Sequence, residues 1–320
     1  MQVLVYGWYR AGNAGDELFA NAFRILFPEY QFNFVSKITE ENLLNVEAVF
    51  FGGGSFLSGK INIQPNVKEI LKTKKIFYIG VGAETAISSG HLELMAQAKL
   101  IAIRSPEQLE KIKAINENTI AIPDLVYALQ GEVINSNKIS KSVLVLPNIE
   151  VVPNHTHPHW KHSSWAYFKS EFSQFLDELV ASGYNLSFFS MCENKSMSDA
   201  WAASEIINMM QKRSTNYQLP FISEEMGNLT QLLSQYEVII TQRFHGIILS
   251  EMMKTPYISV HHHDKLKFAS PMNGISLPYY GIMKQNLLDS FNKLKVRESL
   301  PIESDIFETL RLRVKTIFSG

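Results

Sequence analysis

The feature that most restricts this chain is the texture of its short apolar runs. Residues 3–6, 32–35, 48–51, 76–81, 100–103 and 119–122 are mostly apolar at successive positions rather than at every second one. A strand with one wet face alternates, whereas a strand covered on both faces does not. Helical patterns separate these runs. That succession predicts a parallel sheet between helical layers. The first helix is the plainest: Leu18, Ala22, Ile25 and Leu26 share one face, Asp16 stands at the expected N-cap, and Pro28 stops the run.

A second series begins at 143–146 and continues at 186–189, 219–222, 238–240 and 257–260, with helical stretches such as 166–180 and 228–235 between. The polar stretch 130–141 reads as a linker. With 320 residues the chain has room for two ordinary domains. The expected class is α/β, with one Rossmann-like lobe over 1–135, a second over 142–290, and a C-terminal helical piece over 291–320 packing on the lobes. In that last piece Ile306, Leu310, Val314 and Phe318 fall on one helical face. Two such lobes would enclose a cleft, and ligands of open α/β sheets sit beyond the carboxyl ends of the strands.

Composition narrows the function. Lysine plus arginine number 30 and aspartate plus glutamate 31, a net charge of −1. There is none of the basic excess of a general nucleic-acid binder, so anion specificity must come from a few cations placed locally. The single cysteine, Cys192, excludes a disulfide framework and a zinc site of several thiolates. The opening apolar run is too short for a signal peptide, and no run approaches the ~18 residues that span a bilayer. A cytoplasmic location is the expectation.

The strand ends carry the chemistry. After the first strand comes Gly7-Trp8-Tyr9-Arg10-Ala11-Gly12-Asn13-Ala14-Gly15-Asp16, a glycine-rich loop opening a helix whose free amides favour an anion. A tight turn with a capping aspartate is the plainer reading. After the third strand, Gly52-Gly53-Gly54-Ser55 marks a place where something lies against the main chain, a ligand or a closely packed helix. Gly80-Val81-Gly82 is a partial dinucleotide fingerprint without its third glycine or a ribose-binding acid. Arg104, leaving the fifth strand, suits a carboxylate or phosphate clamp or a structural ion pair.

In the second half, Thr241-Gln242-Arg243-Phe244-His245-Gly246 joins a strand end to a helix start. An arginine and a histidine at a helix N-terminus suit an anionic substrate and proton transfer. His261-His262-His263-Asp264-Lys265 follows the next strand and offers Lys265 as a third cation. The stretch from Asn154 to Trp165, with His155, His157, His159, Trp160 and His162, reads as a long loop. It is open between a zinc site, an acceptor-binding or lid loop, and ordinary surface.

Taken in order, Gly7, Asn13-x-Gly15-Asp16-Glu17, Gly52-Gly53-Gly54, Gly80-x-Gly82, Ile103-Arg104, Pro123-Asp124, Arg243-Phe244-His245 and Lys265 resemble the polysaccharide pyruvyl transferase family. The resemblance implies two Rossmann-like lobes of GT-B-like form and a pyruvate ketal made on sugar hydroxyls from phosphoenolpyruvate. That donor is a co-substrate, with no further cofactor and no metal. It implies that Arg104, Arg243 and Lys265 hold the donor, with Gly53, Gly54 and Gly82 at the same site. It makes His245 the catalytic acid and Asp16 the base or an acceptor-hydroxyl ligand. Asn13, His159, Trp160 and Trp165 are the acceptor-binding candidates. Ser105 stands where the family commonly has an acid, and a histidine run precedes Lys265. The expected partner is a sugar or glycan, and a lipid-linked one would bring the chain to a membrane surface without a spanning segment. No nucleic-acid partner is expected, and oligomeric state is left open. Two other functions fit the pattern: a nucleotide-sugar glycosyltransferase of GT-B form, though no E-x₇-E pair occurs, and a non-enzymatic carbohydrate-binding protein using Trp160, Trp165 and the histidines.

Overall fold

The structure is a computed structural model that describes residues 1–55, 57, 61, 63–82, 86–154, 156–193, 198–212, 215–218, 226–262, 274–294 and 304–319. It divides into two compact units. The first comprises residues 1–11, 15–131 and 301–320, and the second comprises residues 12–14 and 132–300.

The first unit is built on a sheet of six parallel strands: β1 (Gln2–Tyr6), β2 (Gln31–Val35), β3 (Ala48–Gly54), β4 (Lys75–Val81), β5 (Leu100–Ile103) and β6 (Thr119–Ala121), ordered β2-β1-β3-β4-β5-β6. Every residue of β3 is buried, as is all of β4 after its first, which is why these strands show no alternation. Helix α1 (Ala14–Leu26) returns the chain from β1. It begins two residues before Asp16, so the expected N-cap is instead an acid of the first turn, where it still complements the positive helix end. The terminal helix Ser304–Ser319 buries Phe307, Leu310 and Val314. Its Phe318 stacks on Phe77 at 5.1 Å, and Lys75 Nζ donates to the carbonyls of Ile317 and Phe318. A cation on the last carbonyls of a helix satisfies acceptors that have no partner within the helix.

The second unit repeats the plan with β7 (Ile139–Leu146), β8 (Asn185–Phe189), β9 (Thr215–Gln218), β10 (Tyr236–Thr241), β11 (Tyr257–His261) and β12 (Gly274–Pro278), ordered β12-β11-β10-β7-β8-β9 and all parallel. The linker expected over 130–141 is shorter, since a 3₁₀ segment runs to Glu132 and β7 starts at Ile139. The strand expected at 219–222 lies outside the described residues. The core joins Val143, Val145, Ile240 and Ile258 to the aromatic face of helix α6 (His159–Ala181), with Trp165, Phe168, Phe172 and Phe175. Helices α7 (Asp199–Met209) and α9 (Phe244–Met252) belong to the same unit.

Candidate active site

Topology picks out one edge of the second sheet. From β7 the chain moves outward through β8 and β9, then returns to the other side of β7 as β10 and moves outward again. The carboxyl end of the β7/β10 pair is therefore a switch point, where connections diverge and leave a crevice. Asn148 and Glu150 follow β7 there, Gln242, Arg243 and His245 follow β10, and His262 follows β11.

The turn from β10 into α9 is fixed by Thr241. Its Oγ1 accepts from the Arg243 amide at 2.9 Å and donates to the Arg243 carbonyl at 3.0 Å. Helix α9 is buried from Gly246 to Met252, so its start must press against the strand ends. A Cβ on Gly246 would fall 2.2 Å from Thr241 Oγ1 and 2.9 Å from Leu146 Cδ1. Glycine at this position lets the helix begin close enough to carry Arg243 at its N-cap and His245 in its first turn.

Arg243 is tied to Asp199 at two points: Nε donates to Oδ2 at 2.9 Å and Nη2 donates to Oδ1. Asp199 is fully buried, and it also accepts from the amides of Ile149 at 2.9 Å and Met191 at 3.2 Å. Burial pushes the Asp199 carboxyl above its ordinary range, although the Arg243 charge beside it pulls the other way. For Arg243, burial opposes the charge but Asp199 outweighs it, so the guanidinium stays charged. Of the five guanidinium N–H groups, this fork uses two. A polar set adjoins it. The Asn148 amide donates to Gln242 Oε1 at 3.2 Å, Asn148 Nδ2 lies 3.3 Å from His262 Nε2, and that nitrogen lies 3.4 Å from Glu150 Oε2. Residues 12–14 belong to this unit because Ala14 N bonds Met191 O and Glu193 N bonds Gly12 O, with Asn13 paired to Cys192.

The carboxyl edge of the first sheet is built differently. Gly53 and Gly54 hold positive φ angles of 76° and 87°, and a Cβ on Gly54 would lie 3.3 Å from Asp16 Oδ1. Arg104 Nη1 donates to Asp124 Oδ2 and Nη2 donates to Ser55 Oγ, each at 2.5 Å. Both ionic side chains are nearly closed off from solvent, at 8% and 3% exposure. Gly82 faces the guanidinium, since a Cβ there would lie 3.1 Å from Arg104 Nε. Each arginine singled out in the sequence is therefore also half of a buried ion pair. The third cation, Lys265, lies outside the described residues, as do His263 and Asp264.

The His/Trp stretch is not the long loop expected. Helix α6 begins at His159, with Pro158 at its N-cap. Trp165 is a core residue at 5% exposure, packed on Phe168, and its ring face is not available to stack on a sugar. His159 and Trp160 are exposed in the first turn, Trp160 at 58%. The Trp160 ring neighbours Tyr280, which the sequence reading did not single out, at 6.2 Å between centroids. His157 accepts from the Asn154 amide at 2.9 Å and lies 3.2 Å from Lys161 Nζ. Asp199 also went unnoticed, because nothing local in the sequence links it to an arginine 44 positions away.

The sequence profile of the family described as polysaccharide pyruvyl transferase matches residues 13–264. No curated protein gives a significant sequence match. Among solved structures the fold is similar to S. aureus MnaA solved with UDP (10% identity, 99% of this chain and 97% of that one, TM-score 0.62). It is similar to the UDP-GlcNAc 2-epimerase of Methanocaldococcus jannaschii (12% identity, 100% and 99%, TM-score 0.60). It is also similar to the pneumococcal O-GlcNAc transferase GtfA (13% identity, 85% and 57%, TM-score 0.52). At these identities the likeness is one of fold: two parallel-sheet α/β units of GT-B-like form.

Proposed function

We propose that this chain, which belongs to the polysaccharide pyruvyl transferase family, transfers the pyruvyl group of phosphoenolpyruvate to two hydroxyls of a sugar, forming a cyclic ketal and releasing phosphate. The observation that carries the reading is the Arg243-x-His245 start of α9, held by buried Asp199 at the switch point of the second sheet.

Phosphoenolpyruvate presents a carboxylate and a phosphate close to one reactive carbon. A guanidinium braced from behind by a carboxylate keeps its orientation, so its remaining N–H groups meet an incoming anion without reorganising. The α9 amides add partial positive charge at the same place. His245 gives a proton to the terminal methylene, which becomes a methyl group, and C2 becomes a carbocation stabilised by its oxygen. One sugar hydroxyl adds to C2 and its proton restores His245. The C2–phosphate bond then breaks and the second hydroxyl closes the ketal, its proton leaving with phosphate. General-acid help of this kind contributes roughly 10²–10⁴-fold, and the arginine stabilises the departing dianion.

Arg104, Lys265, Gly53, Gly54 and Gly82 remain proposed donor contacts. Asp16 remains the proposed base or acceptor-hydroxyl ligand, and Asn13 and His159 proposed acceptor contacts. The testing experiment is a donor screen in which phosphoenolpyruvate and UDP- or GDP-sugars are titrated against the protein's thermal stability. The reading expects phosphoenolpyruvate to shift the melting temperature at millimolar concentration or below. A shift with nucleotide-sugars alone would replace it with a glycosyltransferase. Among the described residues no helix is long and apolar enough to cross a membrane, so an acceptor anchored in lipid would be met at the membrane surface.

A further inference from the structure

We infer that Gln242 is a substrate-binding residue, whose side-chain Nε2 hydrogens meet an anionic oxygen of the molecule that Arg243 holds. This rests on the donor reading above for the identity of that molecule.

Gln242 stands between the end of β10 and the N-cap of α9, and it is 3% exposed. Its main chain and its side chain both reach across to the end of β7. The Gln242 amide donates to the Leu146 carbonyl at 2.9 Å, and side-chain Oε1 accepts from the Asn148 amide at 3.2 Å. A main-chain N–H can only donate, so this bond fixes which end of the carboxamide is the oxygen. The NH₂ end is therefore the other one. Its Nε2 is buried and has no hydrogen-bond partner among the described residues. Asn148 is held in turn: it is 3% exposed, its Oδ1 accepts from the Glu150 amide at 2.9 Å, and its Nδ2 lies 3.4 Å from the Gln242 carbonyl.

Position ties this amide to the arginine. The amide of Asn148 holds Gln242, and the next amide along, that of Ile149, holds Asp199, the acid behind Arg243. The two anchors are consecutive residues, with Cα atoms about 3.8 Å apart. Gln242 and Arg243 are also consecutive, so both the supports and the supported residues are chain neighbours at the switch point. Two N–H donors without an acceptor cost stability when buried, and the cost is returned when an acceptor arrives. Beside them stand a guanidinium and the start of α9, which are also donors. One kind of group complements all three: an oxygen-rich anion, whose several lone pairs accept from each. A cation or an apolar group would leave every one of these donors unmet.

The test is isothermal titration of phosphoenolpyruvate, inorganic phosphate and pyruvate into the wild type, Gln242→Glu and Gln242→Leu, with melting temperatures alongside. Glutamate keeps an oxygen for the Asn148 amide and replaces the NH₂ end by a second oxygen, whereas leucine removes both ends. A hydrogen bond to a charged group corresponds to roughly 10–100-fold in Kd. Gln242→Leu is expected to weaken phosphoenolpyruvate by about that factor, and Gln242→Glu by more, because its carboxylate repels the anion. Loss of inorganic phosphate affinity in Gln242→Glu would assign the contact to the phosphate, and loss of pyruvate affinity to the carboxylate. Gln242 is not a substrate contact if Gln242→Glu binds phosphoenolpyruvate as tightly as the wild type. The same holds if only Gln242→Leu loses affinity, together with melting temperature, which is the pattern of a residue that merely holds the Asn148 backbone. Either result leaves the donor reading standing. A wild type that binds inorganic phosphate but not phosphoenolpyruvate would remove the donor reading. Phosphate affinity then lost in Gln242→Glu would keep Gln242 as an anion contact, and affinity unchanged would overturn it. Binding of none of the three anions overturns it as well.

Discussion

The two units solve the same problem with different materials. Each places an arginine just beyond the carboxyl edge of a parallel sheet and braces it with a buried aspartate, Arg104 with Asp124 and Arg243 with Asp199. Around Arg104 stand Gly82 and the hydroxyl of Ser55, while along the same strand edge Gly54 faces Asp16 and Gly53 gives room to Phe19 of α1, the closely packed helix that the glycine run allowed for. Around Arg243 the lining is side chain: Asn148, Glu150, Gln242, His245 and His262. Glycine-lined edges define shape and offer amides, whereas an edge of titratable and amide side chains can move protons. The proposed proton donor, His245, stands on the second unit, and Asp16, the proposed base or acceptor-hydroxyl ligand, stands on the first. In both units the arginine is part of the fold, since removing it leaves an unpaired carboxylate in the core.

The largest effect expected is at His245. His245→Ala should lower turnover by roughly 10²–10⁴-fold while the melting temperature and the phosphoenolpyruvate thermal shift change little. Retained turnover would take the acid out of the second unit. Next comes Arg243→Ala, which should abolish the donor shift and also destabilise the fold, because breaking a buried pair costs about 3–5 kcal/mol. The double variant Arg243→Met with Asp199→Leu separates the two effects: denaturant unfolding should recover much of the stability, and activity should stay absent. If stability recovers together with activity, the arginine was structural only. Trp165→Ala should cost about 3–5 kcal/mol as a core truncation, against within about 0.5 kcal/mol for exposed Trp160→Ala, both read by urea unfolding. Gly246→Ala should cost about 1–3 kcal/mol by overpacking and slow turnover by displacing the start of α9. In the first unit Gly54→Ala should cost a similar ~1–3 kcal/mol for its left-handed backbone. The smallest effect is a titration. Partial desolvation, then the charges of Lys161 and His162, hold His157 below the ordinary histidine value, so its NMR midpoint should lie lower than that of a free histidine and rise in Lys161→Met.

The sheets were legible because their central strands are buried on both faces, and a run such as 48–51 or 76–81 has no other comfortable place. Edge strands were not. Gly274–Pro278 is only partly buried, and Thr215–Gln218 is polar, so neither shows an apolar run. The start of α6 was hidden because its first turn faces outward and carries histidines, with the apolar face beginning at Trp165. At the site, Arg104, Arg243 and His245 were visible because they interrupt apolar strand endings. Their acids were not visible as partners, since the pairing of Arg243 with Asp199 or Arg104 with Asp124 is made by strand order and not by spacing along the chain.

The most direct test of the central claim is to incubate the protein with phosphoenolpyruvate and a panel of sugars and glycans, following inorganic phosphate and the mass of each sugar together. Stoichiometric phosphate release with one sugar gaining a pyruvate ketal is the expected result, with loss of both signals in His245→Ala. Phosphate-free incubations with unchanged sugars, alongside sugar transfer from a nucleotide donor, would contradict it.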